Sequence, residues 1–445
     1  MRLFFLGGFA ADAPVVLHDD TGIGRERFFR ETRAQAARLP STRYIVNLCD
    51  NRYAFLTVFA AALLNRQVTL LPADAAESAL DALCERYASV AIVTDRPLPE
   101  APPAPAYRWD ETGGAAGADC APLAFSADQT AVIVHTSGST GTPRPHVKSW
   151  GALVRRARHV GRRLELEAEG VSHVVATVPS QHMYGLENAI MLPTQHGLAV
   201  HSGRPFFPAD VAAALTPASL LVTTPIHLKS LNAASPADVC ARLTLSSTAP
   251  LPAEQAHLAE ERLGAPLLEI YGSTETGVIA TRRPTAEPAW RLLPPLRLRL
   301  SPEGALLQDM ESHVVTALHD AIEIVGEGEF LLGPRSEDIV KVAGKRASLA
   351  ALNDILCALP GVEDGVFLPP REAEEPGSRL AAFVVAPQLS HEEITAHLRE
   401  RIDPAFLPRP LVKVEALPRN ATGKLPWEAM QDLRNANPPA AGAVR

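Results

Sequence analysis

From Thr130 onward the chain alternates short apolar runs with helix-length stretches, and this alternation constrains the fold more than any other feature. AVIVH, HVVATVP, GLAVHS, SLLVTTP, RLTLSS and PLLEIYG read as strands. KSWGALVRRARHVGRRL, LENAIMLPTQ, PADVAAALTP, PIHLKSLNA and AEQAHLAEERLG read as the helices between them. Parallel strands need long crossovers, and helices are the usual ones. The pattern therefore predicts an α/β fold with mixed or largely parallel sheets flanked by helices. The first hundred residues repeat it, with YIVNLC, VTLLP and SVAIVTD around the helical RYAFLTVFAAALLNR. A Pro- and Ala-rich connection, PLPEAPPAPAYRWDETGGAAGAD, follows.

After Pro284 the texture changes. LRLRLSPEGALLQ and AIEIVGEGEFLLG alternate about glycine-centred turns, which predicts hairpins and a β subdomain over about 285–333. Beyond Gly333-Pro334, IVKVAG, RLAAFVVAP and LVKVEALP read as strands, and SLAALNDILCALP and HEEITAHLRERI as helices. The predicted organisation is a large region over 1–333 and a small α+β domain over 334–445, the latter of ordinary domain size.

At 445 residues two or three domains are expected, and 47% apolar with 21% charged residues is a folding composition. A net charge of -8 gives no reason to expect nucleic acid or an acidic membrane surface, so an anionic ligand would need a local cation pocket. The longest apolar run, FLTVFAAALL, is too short for a membrane span. MRLFFLGGFAADA has some features of a secretory leader, but one basic residue and a short apolar part favour a buried first strand. Five scattered cysteines without a CxxC pair predict neither a zinc site nor a disulfide framework, and fit a reducing cytoplasm. Only 6 of the 42 basic residues are lysines (148, 229, 341, 345, 413 and 424), so each one invites a reason.

Three loops carry candidate chemistry. In TSGSTGTPR, residues 136–144, glycines let the backbone approach a ligand, and the hydroxyls of Thr136, Ser137, Ser139 and Thr140 add donors beside exposed N–H groups. Such a loop suits polyphosphate, and a polar surface loop would have the same letters. It does not satisfy GxxxxGK[ST], nor does ATGKL at 421–425, which argues against a P-loop NTPase. In YGSTETG, residues 271–277, Glu275 is a lone carboxylate among small residues, suited to Mg²⁺ or simply solvated, and Tyr271 offers a flat face. LPRNATGKLPW, residues 417–427, places Lys424 after a glycine on a Pro-bounded loop. PSQHMYGLE, residues 179–187, sets His182 and Tyr184 between a strand and a helix.

Taken in order, these segments resemble the adenylate-forming superfamily of acyl-CoA and aryl-CoA ligases, adenylation domains and luciferases. TSGSTGTPR is similar to its phosphate loop, YGSTETG to its Mg-ATP motif and PRNATGK to its C-terminal lysine loop. SEDIVKVAGKR, 336–346, resembles its hinge segment, with Arg335 in the place of the family's arginine and Glu337 at the hinge; Asp320 in ALHD falls where a ribose-binding aspartate stands. Departures are Arg144 for the loop lysine, Pro145 for the next glycine, Leu318-His319 for threonine-glycine before Asp320, and Pro334 between Gly333 and Arg335.

The resemblance implies a two-step, ATP- and Mg²⁺-dependent ligation of a carboxylic acid to a thiol, with a mobile C-terminal lid. It assigns nucleotide contacts to Thr136, Ser137, Gly138, Ser139, Thr140, Gly141, Arg144, Thr248, Ala249, Tyr271, Gly272, Ser273, Asp320 and Arg335. Glu275 would hold the metal; Lys424, Thr274, Glu275 and His182 would be catalytic. The acid would lie among His182, Tyr184, Gly185, Thr224, Ser247 and Tyr271. The compact length and PSQHMYGLE look similar to stand-alone ligases of aryl polyene and xanthomonadin pathways, which load 4-hydroxybenzoate-like acids onto an acyl carrier protein; free CoA is the alternative acceptor. A non-catalytic acyl or nucleotide binder with the same fold is the alternative of another class, in view of Pro145, Pro334 and the altered ALHD.

Overall fold

The computed structural model describes residues 1–18, 21–72, 77–97, 101–112, 119–136, 144–234, 239–302, 304–335, 339–342, 345–369, 379–420, 425 and 427–437. The chain forms two compact units, one over Met1–Pro294 and another over Pro295–Asn420 that includes the C-terminal helix Trp427–Ala436. The sequence reading divided the chain at 333/334. The difference is the strands of 296–335, whose hairpin pattern is local and does not reveal which unit they pack with.

The first unit holds two sheets built by the predicted alternation. One runs in the order Arg144–Ser149, Thr130–Thr136, Val68–Leu71, Tyr44–Asn47, Val90–Thr94 and Ala106–Arg108. All its pairs are parallel except the hairpin at its edge, Thr130–Thr136 with Arg144–Ser149. The other is parallel through Leu267–Ser273, Leu243–Ser246, Ser219–Thr223, His173–Ala176, Ala199–His201 and Val16–His18. Gly277–Arg282 and Trp290–Leu292 continue this sheet antiparallel beyond Leu267–Ser273.

Helix Arg52–Leu64 is buried on every side up to its last residue, as a helix apolar all round must be. Asn51 starts it by accepting from the N–H groups of Tyr53 and Ala54. The N-terminus is a strand, Arg2–Phe4, paired antiparallel with Ala124–Ser126, as the buried-strand reading expects. It leads to Phe5, which stacks on Trp150 with centroids 5.4 Å apart, and Trp150 Nε1 donates to the Leu3 carbonyl at 3.1 Å. Each such aromatic contributes roughly 1.5–3 kcal/mol by burial.

Two boundaries differ from the sequence reading. The helix expected from Lys148 begins at Trp150, because Ser149 caps it by accepting from the Ala152 N–H; Lys148 belongs to the preceding strand. The helix after Pro179 starts at Met183 rather than Leu186, and Leu186–Met191 is wound as a π-helix.

The second unit carries the three-stranded antiparallel Leu296–Ser301, Gly304–Asp309 and Val315–Ala317. Two hairpins follow, Asp320–Gly326 with Glu329–Arg335 and Ile339–Val342 with Lys345–Ser348. Then Asp364–Leu368, Ala381–Val385 and Leu411–Lys413 form a mixed sheet with helices Leu349–Cys357 and His391–Arg401. Its core gathers Leu352, Leu356, Phe367, Val384, Ile394 and Leu398.

Candidate active site

In a parallel sheet, ligands bind beyond the carboxyl ends of the strands. In the long sheet those ends are built of small hydroxyl-bearing residues, Thr223-Thr224, Ser246-Ser247-Thr248 and Tyr271-Gly272-Ser273. Register places Thr223 opposite Ser246, so Thr224 and Ser247 leave adjacent strands at one edge. Ser247 Oγ donates to the Ile270 carbonyl at 2.9 Å. Thr248 has φ +85°, a left-handed conformation that costs a β-branched residue of order 1–3 kcal/mol, and such strain gathers at functional edges. Ala249 is exposed beside it.

His182, half-buried, caps the following helix through Nδ1, which accepts from the Tyr184 N–H at 3.4 Å. Tyr184 is 7% exposed, and its hydroxyl donates to the Leu245 carbonyl at 3.0 Å; burial pushes the phenol well up, so it stays neutral. The donor of this hydroxyl is thus engaged by the main chain. A Cβ on Gly185 would collide with the Pro179 carbonyl, so the glycine serves close approach of the helix to that backbone.

Sequence reasoning missed His227. Its Nδ1 lies 2.8 Å from Thr224 Oγ1, Phe206 meets its ring edge-on at 5.3 Å, and burial with the nearby Arg204 cation pushes its pKa down to about 4. A histidine in the first turn of a helix that begins with Pro225, three residues after Thr224, was the available signal, but the ring and cation that set its environment, Phe206 and Arg204, come from another loop.

The turn of YGSTETG joins Leu267–Ser273 to Gly277–Arg282. The Ser273 N–H donates to Thr276 Oγ1 at 3.1 Å, and the Thr276 N–H returns to Ser273 Oγ at 3.3 Å. Around it, Lys148 Nζ donates to the Glu275 carbonyl at 2.7 Å, and Arg156 donates to the Thr276 carbonyl at 3.3 Å. His146 Nε2 lies 3.4 Å from Glu275 Oε1. The buried Glu187 accepts from the Val278 N–H at 3.0 Å. Burial pushes the Glu187 carboxyl up, opposed by the Arg156 and Lys148 cations. Burial also pushes the exposed-edge Glu275 up, but Ser273 hydrogen bonding, its own backbone, His146 and Lys148 outweigh it and hold the carboxyl below its usual range. An ionised Glu275 carboxylate, next in sequence to Thr274, is a hard-oxygen donor. Among the described residues no group of three or more His, Cys, Asp or Glu could enclose a metal. One carboxylate with substrate phosphates and water is what Mg²⁺ takes, so the donors fit it. Tyr271 is half-buried with its ring 5.6 Å from Trp290.

Arg144 and Thr136 face each other across the edge hairpin, so its two strands begin and end at the ends of TSGSTGTPR. Ser137, Gly138, Ser139, Thr140, Gly141, Glu337 and Lys424 lie outside the described residues. In the second unit, Asp320 and Arg335 stand directly opposite on one hairpin.

The family described as AMP-binding enzyme matches residues 34–319, and its C-terminal domain matches residues 352–424. The chain belongs to this family. The 4-coumarate–CoA ligase of Rhodobacter capsulatus is 30% identical over 306 residues, covering 68% of this chain and 76% of the relative. The 2-succinylbenzoate–CoA ligase of Bacillus velezensis is 25% identical over 448 residues, covering 89% and 86%. Among solved structures, o-succinylbenzoate CoA synthetase from Bacillus subtilis with ATP and magnesium matches with TM-score 0.78 at 19% identity, covering 94% of this chain and 96% of that one. The last likeness carries the fold. Members of the family are AMP-forming acid–thiol ligases that use ATP and Mg²⁺, and this chain is one of them. The curated relatives are named as CoA ligases, so the expected kinship with carrier-protein ligases of pigment pathways gains no support from them.

Proposed function

We propose that this enzyme activates an aromatic carboxylic acid and transfers it to CoA. The observation that carries the reading is the braced Glu275 turn at the carboxyl edge of the sheet, next to Thr224, Ser247 and Tyr271. The acid would lie among His182, Tyr184, Gly185, Thr224, Ser247 and Tyr271, with His227 behind Thr224. His227 is neutral above about pH 5, so the Thr224–His227 pair is a polar but uncharged wall, suited to a hydroxylated ring. The aromatic acids named in the curated relatives support the same class.

An acid oxygen attacks the α-phosphorus of ATP and pyrophosphate leaves; the thiol then attacks the acyl carbon and AMP leaves. This chain's share is orientation and charge. Residues 136–144, with Arg144, would hold the β- and γ-phosphates, and Thr274 would meet the α-phosphate. Glu275 would bind Mg²⁺, which neutralises phosphate charge. Thr248, Ala249, Tyr271, Gly272 and Ser273 would line the adenine side, and Asp320 with Arg335 the ribose. Lys424 would sit where charge develops between acid and phosphate, and the segment after Arg335 would turn about Glu337 between the two steps.

An ATP–pyrophosphate exchange panel tests the first step: 4-coumarate, 4-hydroxybenzoate and benzoate should outrun fatty acids of equal length. Adding CoA should then give an aryl-CoA product. Faster transfer to a holo carrier protein than to CoA would replace the acceptor, and preference for fatty acids would replace the acid.

A further inference from the structure

Of the six lysines, the adenylation reading uses one, Lys424. Lys148 has a place in the site too. Side chains alternate along a strand, so Arg144, His146 and Lys148 share one face of Arg144–Ser149. From that face Lys148 takes the carbonyl of Glu275 at 2.7 Å, and His146 lies 3.4 Å from its carboxylate. One strand thus grips both ends of one residue. Arg156, from the next helix, takes the following carbonyl, Thr276.

An ammonium has three donors and no acceptor, so Lys148 can bond a carbonyl while remaining under the attraction of carboxylates. Both Glu187 and Glu275 act on it in that way. Thr274, Glu275 and Thr276 have no partners in the sheet ladder, so these side-chain bonds replace the ladder there. A carboxylate on an unbraced turn would sample many directions before meeting a metal; a braced one has fewer to lose on binding.

We propose that Lys148 and His146 are positioning residues for the metal–ATP half of the reaction, Lys148 fixing the carbonyl and His146 the carboxylate of Glu275. The proposal rests on Glu275 being the metal ligand. The competing role for Lys148 is only that of counter-charge to the buried Glu187, and the two roles separate experimentally.

The full-length protein, without acid, is titrated calorimetrically with Mg·ATP and, separately, with ATP in EDTA. Lys148→Met should weaken Mg·ATP binding about tenfold, the size of losing one charge-assisted contact, and His146→Leu about threefold, as befits its longer 3.4 Å contact. ATP in EDTA should bind within about twofold of wild type in both, and the KM for ATP should rise while the KM for acid holds. The double variant Lys148→Met/Glu187→Gln removes both charges; it should stay as weak as Lys148→Met. Recovery of wild-type Mg·ATP affinity in the double variant, or either single variant binding Mg·ATP like wild type, overturns the proposal. If Lys148→Met does not fold, His146→Leu decides it. Glu275→Gln tests the underlying reading separately: wild-type Mg·ATP affinity there would remove Glu275 as ligand, whatever Lys148 does.

Discussion

The hydroxyl of Tyr184 donates to the main-chain carbonyl of Leu245 at 3.0 Å, tying the helix after His182 to a central strand of the long sheet. Tyr184→Phe removes that hydrogen bond while Leu245 stays paired in the sheet, which costs about 0.5–1.5 kcal/mol. Chemical denaturation should report the loss. The preference for 4-hydroxybenzoate over benzoate in pyrophosphate exchange should stay within about twofold, because the phenol serves the backbone. A collapse of that preference would place the hydroxyl against substrate instead.

Gly277 closes the Glu275 turn with φ +68°, and a Cβ there would meet the Glu187 carboxylate. Gly277→Ala therefore carries about 1–2 kcal/mol of left-handed backbone cost and also displaces Glu187 from the Val278 N–H. Exchange activity should fall at least about tenfold at subsaturating Mg·ATP, with the far-UV spectrum unchanged. An alanine variant with wild-type KM for ATP would show that the turn tolerates rearrangement.

The parallel sheets were legible because each strand and each crossover helix announces itself locally by period and length. The loop motifs were legible because their small residues and single charges stand out from core composition. Lys148 was not. Read alone, KSWGALVRR looks like a helix from its first residue, and only pairing with Thr130–Thr136 holds Lys148 in a strand facing Glu275. His227 was hidden for the same reason, since its neutral state depends on Phe206 and Arg204 from another loop. The division at Pro294 was hidden too, because a hairpin such as Leu296–Asp309 has the same pattern whichever core it joins.

His227 makes stability depend on pH in a definite direction. Its folded pKa, about 4, lies below the unfolded 6.5, so the unfolded chain binds the extra proton first. Its contribution is intact above pH 6.5 and is lost as pH falls from there towards 4, by roughly 3 kcal/mol at most. His227→Phe should flatten that part of the stability-against-pH curve, measured by urea unfolding at pH 7, 6, 5 and 4.5. A variant curve parallel to wild type would show that the histidine titrates normally.

Lys424 offers the sharpest separation of the two chemical steps. A lysine acting where charge develops between acid and α-phosphate matters only while pyrophosphate leaves; thiol attack on a preformed acyl-adenylate does not need it. Lys424→Ala should therefore cut ATP–pyrophosphate exchange by about 10²–10³-fold, the size of removing one charge-stabilising donor. Thioester formation from supplied acyl-adenylate and CoA should stay within about threefold of wild type, followed by mass spectrometry of the aryl-CoA. Arginine at 424 should not rescue exchange, because its broad planar fork does not substitute for a compact ammonium in a crowded centre, even though Arg144 stands where the family's phosphate loop has lysine. Equal losses in both half-reactions would assign Lys424 to folding or nucleotide binding rather than to the adenylation step.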